Sequence, residues 1–129
     1  LCVDYGLKKG FSEFCIYGGV GGRLDHTFAN VQTLLKIAKS GGRGYLFGKD
    51  EILTVIGSEI EFDESFKGMV SVFSACDRAE GVSISGLKYE LEDAELSNEF
   101  PLGVSNEFTG NKAKISVKEG YLLVIYERQ

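Results

Sequence analysis

Residues 17–30 read Tyr-Gly-Gly-Val-Gly-Gly-Arg-Leu-Asp-His-Thr-Phe-Ala-Asn, and the rest of the chain is organised around this stretch. It follows an apolar run at residues 14–17 that predicts a strand, and it opens a helix. Glycines at positions 18, 19, 21 and 22 carry no Cβ, so a ligand can approach the backbone of the turn closely. The N-terminus of the following helix favours anionic groups. The predicted inward face of that helix is Phe28, Val31, Leu34, Leu35 and Ala38.

The length and charge of the chain limit what it can bind. It has 129 residues, 43% of them hydrophobic, which allows one domain with a core or two small packed units. The formal net charge is -5, and lysines and arginines are scattered, which disfavours a nucleic-acid surface. No apolar run is long enough to span a membrane. We therefore expect a cytoplasmic protein whose partners are small molecules or proteins.

The cysteines Cys2, Cys15 and Cys76 are odd in number, far apart and surrounded by apolar residues. That pattern fits neither a disulfide framework nor a zinc site. The sequence predicts buried free thiols.

The first 48 residues alternate between helical and strand-like patterns. This alternation is typical of a parallel α/β layer, in which helices cross over between neighbouring strands. Two strands cannot form a stable parallel sheet alone, and the chain begins at Leu1 without a methionine. We therefore expect the C-terminal part of a longer protein, and a tag-cleaved or processed complete domain is the alternative. The predicted elements are a helix tail over 1–9 capped by Gly10, a strand over 13–17, a helix over 25–39 stopped by Gly41 and Gly42, and a strand over 44–47.

After Lys49 the pattern changes to short strand-like runs separated by turn residues. Several runs alternate apolar and polar residues, so that one face is buried and the other is wet. Such a series suggests a β-sandwich or open barrel over residues 49–129, following an α/β unit over residues 1–48. The predicted strands are 51–56, 59–62, 69–75, 81–91, 103–108, 112–117 and 121–126.

Two separate motifs resemble those of the thiamine pyrophosphokinase family. Residues 21–26, Gly-Gly-Arg-Leu-Asp-His, with Asn30 one helical turn on, resemble a signature of that family. Residues 103–108, Gly-Val-Ser-Asn-Glu-Phe, resemble the segment that lines its thiamine pocket. The resemblance covers essentially the whole chain. It implies an α+β fold in which the truncated edge of a parallel α/β nucleotide-binding domain is followed by an antiparallel β-sandwich that binds thiamine.

The resemblance also implies an activity. Such enzymes transfer a pyrophosphoryl group from ATP to the thiamine hydroxyl, use Mg²⁺, and are homodimers with the active site between subunits. The acidic Gly-Asp-x-Asp-Ser motif of the family lies upstream of the region matched here and is absent from this sequence. The resemblance therefore implies a piece of the enzyme that is inactive alone.

Each candidate site residue has a chemical rationale. The Arg23 guanidinium can fork onto phosphate oxygens beside Gly21 and Gly22, and Asp25 can accept the substrate hydroxyl proton or help to hold Mg²⁺. Asn30 presents its amide on the same helix face as His26.

The second motif supplies the groups for thiamine. Ser105 and Asn106 offer a donor and acceptor pair to the aminopyrimidine, and Phe108 offers a flat apolar surface. With the family in view, catalysis is assigned to Arg23 and Asp25. Nucleotide phosphate binding is assigned to Gly21, Gly22, Arg23 and Asn30, and thiamine binding to His26, Ser105, Asn106 and Phe108.

Structural alternatives stand beside these assignments. Asp25 can serve as a helix N-cap, Ser105 and Asn106 as turn residues, and Phe108 as a core residue. The glycines lack the Gly-Lys-Ser/Thr ending of a P-loop, and Leu24 stands where a dinucleotide fingerprint needs its third glycine. A non-catalytic β-sandwich module that binds a small molecule or a partner is the rival function, and an enzyme acting on a related heterocycle is a second.

Overall fold

A computed structural model gives the structure of the chain and describes residues 2–17 and 24–129, with the backbone alone at Cys2. Strands outnumber helices in the described part of the chain, as expected from the short apolar runs after Lys49. In chain order the elements are α1 (Cys2–Lys8), β1 (Glu13–Tyr17), α2 (Leu24–Lys39), β2 (Arg43–Phe47), β3 (Glu51–Ile56), β4 (Glu59–Phe62), β5 (Met69–Ser74), β6 (Arg78–Ser85), β7 (Leu91–Ser97), β8 (Gly103–Glu107), β9 (Ala113–Ser116) and β10 (Leu122–Glu127).

The strands form two sheets. The larger has six strands in the order β1-β2-β3-β10-β5-β8, and the smaller has four in the order β4-β9-β6-β7. Strands β1 and β2 are parallel and are connected through α2, which confirms the predicted crossover. All the other pairings between the described strands are antiparallel. None of the described helices is both long and apolar enough to span a bilayer.

Glycines end both helices as the sequence predicts. At the end of α2, Gly41 has a φ of 84°, and the Gly42 N–H donates to the Ile37 carbonyl at 3.0 Å. At the end of α1, Gly10 has a φ of 89°, and the Phe11 N–H donates to the Gly6 carbonyl at 3.0 Å. Both helices end in a glycine cap. Glycine adopts the left-handed conformation without the steric penalty that a Cβ would cause.

The larger sheet is the middle of three layers, because a separate core lies on each of its faces. One core packs α2 against the sheet, and the other packs the smaller sheet against it. Alternate residues of one strand therefore enter different cores, as the two-residue period of a strand requires. The α2 core is built on the buried residues Leu34, Leu46, Leu53 and Val55. The inter-sheet core includes Ile56, Phe62, Val70, Val72, Ile84, Leu96, Ile115, Leu122 and Val124.

The larger sheet is continuous across the predicted boundary at residues 48 and 49. β2 pairs with β3 in antiparallel register, with Tyr45 opposite Thr54 and Phe47 opposite Ile52. The hydroxyl of buried Thr54 adds a hydrogen bond of 2.6 Å to the Gly44 carbonyl. The division of the chain into units at 1–48 and 49–129 remains a prediction. Residues of both units contribute strands to the larger sheet.

Two details of the sequence prediction are wrong. The strand predicted over 81–91 ends at Ser85, because the chain turns at Gly86, whose φ is 80°, and β7 begins only at Leu91. In α2, Phe28 is 70% exposed and Ile37 is fully buried, so the buried stripe is rotated from the predicted one. Val31, Leu34, Leu35 and Ala38 do pack into the α2 core.

The expectation of buried thiols fails at Cys15, which is exposed, whereas Cys76 is partly buried. Among the described strands, β1 is the outermost of its sheet, so its residues 13, 15 and 17 face outward without cover. The Cys76 thiol lies closer to the interior, where its sulfur accepts the Tyr121 N–H at 3.4 Å.

Candidate functional site

The glycine-rich turn connects the end of β1 to the start of α2. The residues predicted to bind phosphate, Gly21, Gly22 and Arg23, lie outside the described residues, and the structure places their neighbours Tyr17 and Leu24. Because β1 and β2 are parallel, their carboxyl ends meet at one edge of the sheet. In α/β folds that edge is where ligands bind.

Asp25 and His26 are exposed in the first turn of α2, and Asn30 follows one turn later, partly buried. Asp25 Oδ1 accepts the backbone N–H of His26 at 3.0 Å. The carboxylate thus satisfies a free amide of the helix terminus, from inside the first turn and not from the N-cap. The Asp25 carboxylate lies exposed at the start of the helix.

Asp25 is the one carboxylate at the predicted Mg²⁺ site. Within residues 2–17 and 24–129, no group of three or more His, Cys, Asp or Glu side chains could hold a metal ion. Mg²⁺ commonly takes one or two carboxylates and completes its shell with water and substrate phosphates. A single exposed carboxylate beside a turn that is predicted to bind phosphate fits that pattern.

Ser105 lies at an irregularity in the pairing of β8 with β5. Two residues of β8, Val104 and Ser105, stand opposite the single residue Ser71 of β5. Ser105 has a φ of 61°, and its N–H donates to the Ser71 hydroxyl at 3.1 Å. A non-glycine residue in this region is strained by about 1 kcal/mol and is common at ligand sites. The bulge leaves Ser105 exposed.

Asn106 is buried, with 3% of its surface exposed, and its side chain bonds within the protein. Its Oδ1 accepts the N–H of Tyr89 at 2.9 Å and that of Glu107 at 3.0 Å. Its Nδ2 donates to the Tyr89 carbonyl at 2.7 Å. The amide therefore fixes the backbone of the segment that follows β6.

Phe108 is partly buried in an aromatic cluster at one end of the inter-sheet core. Its ring is edge-on to Phe62, with centroids 5.0 Å apart, and 5.6 Å from Phe66. Tyr126 also packs on Phe62, and burial raises the pKa of Tyr126 to about 12, with a smaller contribution from Tyr45. This packing favours the core interpretation of Phe108.

Tyr17, which precedes the glycine-rich turn, and Asn106 lie at the same edge of the larger sheet but at its opposite ends. A row of cross-strand neighbours runs from the last residue of β1, beside the glycine-rich turn, to Asn106 in β8. Five strand spacings separate the ends, which is roughly 24 Å. Asn106 and its neighbour Ser105 are therefore far along the sheet from the end of β1. The row is Tyr17, Phe47, Ile52, Tyr126, Val70 and Asn106.

The aromatic and charged groups between these ends were not predicted from sequence. Tyr17 stacks on Phe47 with centroids 4.7 Å apart, and the Arg128 guanidinium lies 5.5 Å from the Phe47 centroid. Arg128 also donates to the Gly48 carbonyl at 2.8 Å. A cleft of about 700 Å³ lies beside this stack and is lined in part by Asp50, Ser71 and Arg128. The hydrogen bond between Arg128 and Gly48 joins residues that are 80 positions apart, and no local sequence pattern predicts such a contact.

Comparisons with known proteins agree with this architecture. The family profile described as "Thiamin pyrophosphokinase, vitamin B1 binding domain" matches residues 57–122. Thiamine pyrophosphokinase of Bacillus subtilis is 28% identical over 128 residues, which are 97% of this chain and 59% of the relative. The chain therefore spans about three fifths of the length of that relative.

Solved structures show the same fold. The crystal structure of thiamine pyrophosphokinase from Bacillus subtilis superposes with a TM-score of 0.88 at 25% identity, over 99% of this chain and 61% of that one. The Geobacillus thermodenitrificans structure gives 0.82 at 27% identity, over 99% of this chain and 60% of that one. The yeast structure, at 19% identity and a TM-score of 0.72 over 88% of this chain and 39% of that one, shares the fold. Because the profile matches half of its residues, the chain belongs to the thiamin pyrophosphokinase family.

Proposed function

We propose that the complete protein is a thiamine diphosphokinase (EC 2.7.6.2), transferring pyrophosphate from ATP to the thiamine hydroxyl to give thiamine diphosphate and AMP. The observation that carries this is the match of the vitamin B1 binding profile to residues 57–122. In this proposal the protein is cytoplasmic, and the 129 residues are an N-terminally truncated piece that is inactive alone.

The proposed division assigns residues 1–48 to the remnant of an ATP-binding α/β domain and 49–129 to the thiamine-binding domain. This division is supported by exposed apolar side chains near β1 and α2. Leu24 is 77% exposed and Phe28 is 70% exposed. Exposed apolar residues grouped in this way are typical of a surface that another part of a protein covers.

Transfer of a pyrophosphoryl group requires alignment of the attacking oxygen and neutralisation of phosphate charge. We assign phosphate binding to Gly21, Gly22, Arg23 and Asn30, where Arg23 forks onto the phosphate oxygens. Mg²⁺, when bound through Asp25 and phosphate oxygens, supplies further positive charge. Asp25 accepts the proton of the substrate hydroxyl through its exposed carboxylate.

Thiamine is assigned to the other end of the sheet, around Ser105, Asn106 and Phe108, with His26 contributing from α2. The exposed Ser105 hydroxyl on its strained bulge is the group best placed to meet a ligand. Because roughly 24 Å of sheet separates Tyr17 from Asn106 within one copy, we propose a homodimer in which each site takes Asp25 from one subunit and Ser105 from the other.

The test is product formation from thiamine, ATP and Mg²⁺, measured as thiamine diphosphate and AMP. The complete protein and the 129-residue chain are assayed in parallel. We expect equal amounts of the two products from the complete protein and none from the shorter chain. Saturable thiamine binding by the complete protein without any product would instead identify a non-catalytic binding module.

A further inference from the structure

A left-handed backbone occurs at two residues other than glycine in the described part of the chain, Asp93 and Ser105, whose φ values are 49° and 61°. A Cβ makes this conformation unfavourable, least so for asparagine and aspartate. In both cases the left-handed residue donates its N–H to a serine hydroxyl on the neighbouring strand, at 3.1 Å. The acceptor for Asp93 is Ser83 in β6, and the acceptor for Ser105 is Ser71 in β5. The same contact therefore occurs twice.

The two contacts also share their strand geometry. In each, two residues of an outer strand stand opposite a single serine, and the second of the two is the left-handed one. Such a bulge disrupts the backbone ladder and leaves the extra residue unpaired. The serine hydroxyl supplies an acceptor for its N–H, and we call this arrangement a serine-held bulge. Glu92 and Asp93 of β7 face Ser83, as Val104 and Ser105 of β8 face Ser71.

The bulge at Ser105 depends more on its serine than the bulge at Asp93 does. Aspartate tolerates the left-handed region better than serine. The Asp93 carboxylate also lies 3.4 Å from the ammonium nitrogen of Lys118, which adds a second contact. A serine side chain carries no charge for such an ion pair, so the contact with Ser71 has the larger share in fixing the backbone of Ser105.

Ser71 lies outside the packed interior. Its neighbours in β5, Val70 and Val72, are buried in the inter-sheet core, and the alternation along a strand turns Ser71 to the other face of the larger sheet. There it is partly buried and lines the cleft of about 700 Å³ beside Arg128. Replacing the Ser71 hydroxyl therefore removes no packing from that core, and the effect on Ser105 can be measured in a folded protein.

We propose that Ser71 is a positioning residue for the substrate. Its hydroxyl holds the Ser105 amide, and with it the left-handed backbone that presents the Ser105 hydroxyl to the substrate. The identity of that substrate, thiamine, rests on the proposed function. Without an acceptor on Ser71, the Ser105 backbone relaxes towards the extended conformation, in which neighbouring side chains point to opposite faces of the sheet. The Ser105 hydroxyl then leaves the position from which it meets thiamine, and binding weakens.

The first test is steady-state kinetics of the complete protein with Ser71→Ala, Ser71→Val and Ser71→Thr. Threonine keeps the hydroxyl, and valine has nearly the same shape without it. We expect alanine and valine to raise the KM for thiamine about tenfold, with kcat and the KM for ATP unchanged, and threonine to keep the wild-type KM. If Ser71→Ala does not fold, the valine and threonine pair decides. An unchanged KM for thiamine without the hydroxyl, or an equal rise with threonine, would overturn the positioning role.

Ser83→Ala is the matched control, because it removes the same contact from the serine-held bulge of the smaller sheet. We expect wild-type values of kcat and of both KM constants, since β7 and β8 are outer strands of different sheets. A rise in the KM for thiamine equal to that of Ser71→Ala would show that the contact acts through general stability, and it would overturn the proposal.

The second test asks whether Ser71 acts through Ser105. The KM for thiamine is measured for Ser71→Ala, Ser105→Ala and the double variant. We expect each single replacement to raise it about tenfold and the double variant to raise it no more than about twentyfold, because both remove the same substrate contact. Effects that multiply to about a hundredfold would show that the two serines act independently, against the proposal.

The third readout needs no ligand. Amide hydrogen exchange of the complete protein is compared in the wild type, Ser71→Val and Ser83→Ala. We expect faster exchange at Ser105 in the first variant and at Asp93 in the second, each with the other amide unchanged. Unchanged exchange at Ser105 in Ser71→Val would overturn the positioning role. A wild type that binds no thiamine refutes the substrate role of Ser71 together with the proposed function, whereas exchange at Ser105 still decides whether Ser71 holds the bulge.

Discussion

The buried hydroxyl of Thr54 in β3 donates a hydrogen bond of 2.6 Å to the carbonyl oxygen of Gly44 in β2. This contact joins residues on the two sides of the predicted boundary between units 1–48 and 49–129. Thr54→Val keeps the shape of the side chain but leaves the Gly44 carbonyl without that donor, so we expect a loss of about 1–2 kcal/mol in the free energy of unfolding.

Urea titrations followed by far-ultraviolet circular dichroism and by tyrosine fluorescence measure that loss. We expect one transition, shifted equally for both probes, because β3 and β10 serve both cores. The control is Thr109→Val, whose hydroxyl donates to the Gly86 carbonyl at an exposed site where water can replace it. Two separate transitions would show that the two units unfold independently.

Gly86 lets the chain turn between β6 and the Tyr89 segment, and its replacement is expected to be costly. Its φ is 80°, and a Cβ at this position would lie 1.9 Å from the Lys112 carbonyl oxygen. We expect Gly86→Ala to cost about 3 kcal/mol or more of unfolding free energy. Gly110→Ala is the matched control, because Gly110 has a φ of 84° and nothing within 4 Å of its added Cβ. Only about 1 kcal/mol is expected there, so equal losses would contradict the steric argument.

Alkaline pH is expected to weaken the fold through Tyr126, whose pKa burial raises to about 12. A raised pKa means that the folded state favours the protonated phenol. The resulting stabilisation is complete below the unfolded pKa of about 10 and is lost as pH rises towards 12. Tyr126→Phe should remove a pH-dependent loss of about 2 kcal/mol over that range. Unfolding titrations between pH 9 and 12, at steps on the order of half a pH unit, measure this loss of unfolding free energy. The control is Tyr5→Phe at an exposed position, whose unfolding free energy should decline with pH as that of the wild type does.

Asp25→Asn separates a catalytic role from a capping role. In the complete protein we expect turnover to fall by about a hundredfold or more, because the amide cannot take the proton of the substrate hydroxyl. The amide oxygen can still accept the His26 N–H, so the unfolding free energy should change by less than about 0.5 kcal/mol. Steady-state kinetics and thermal unfolding of the same preparations give both quantities. Full activity in a destabilised variant would assign Asp25 to capping alone.

Mixing two inactive variants tests whether each site is shared between subunits. Ser105→Arg places a cation against the cationic substrate, and Asp25→Asn removes the proton acceptor. If each site takes one of these residues from each subunit, a mixed dimer regains one intact site, and an equal mixture recovers about one quarter of wild-type turnover. Each variant mixed with itself is the control. No recovery in dimers shown by mass to be mixed would place both residues in one subunit.

Local patterns predicted the elements whose residues contact sequence neighbours. The glycine-stopped helix α2 and the strands β3 and β4 have the predicted positions, because periodicity and turn residues act within a few residues. β7 was missed because its residues, Leu-Glu-Asp-Ala-Glu-Leu-Ser, carry acidic side chains that disfavour strands. Its pairing with β6 supplies the hydrogen bonds that the local preference does not.

The candidate site likewise has features that local motifs predicted and features that depend on distant parts of the chain. Motifs identified Asp25, Ser105 and Asn106, but nothing local could show that the Asn106 amide is occupied by Tyr89, 17 residues away. The separation of the two site groups was equally hidden, because it depends on the order of six strands in one sheet. Strand order is a property of the whole chain, and it decides which predicted residues can meet.

The central position of β10 has a consequence for sequence drift. Its even-numbered residues Leu122, Val124 and Tyr126 enter the inter-sheet core, and its odd-numbered residues Leu123 and Ile125 enter the α2 core. No side of this strand is free to vary, and a one-residue insertion would exchange the contents of the two cores. Among natural variants of this protein, we expect insertions and polar replacements to accumulate in the outer strands β7 and β8 and to be rare in β10.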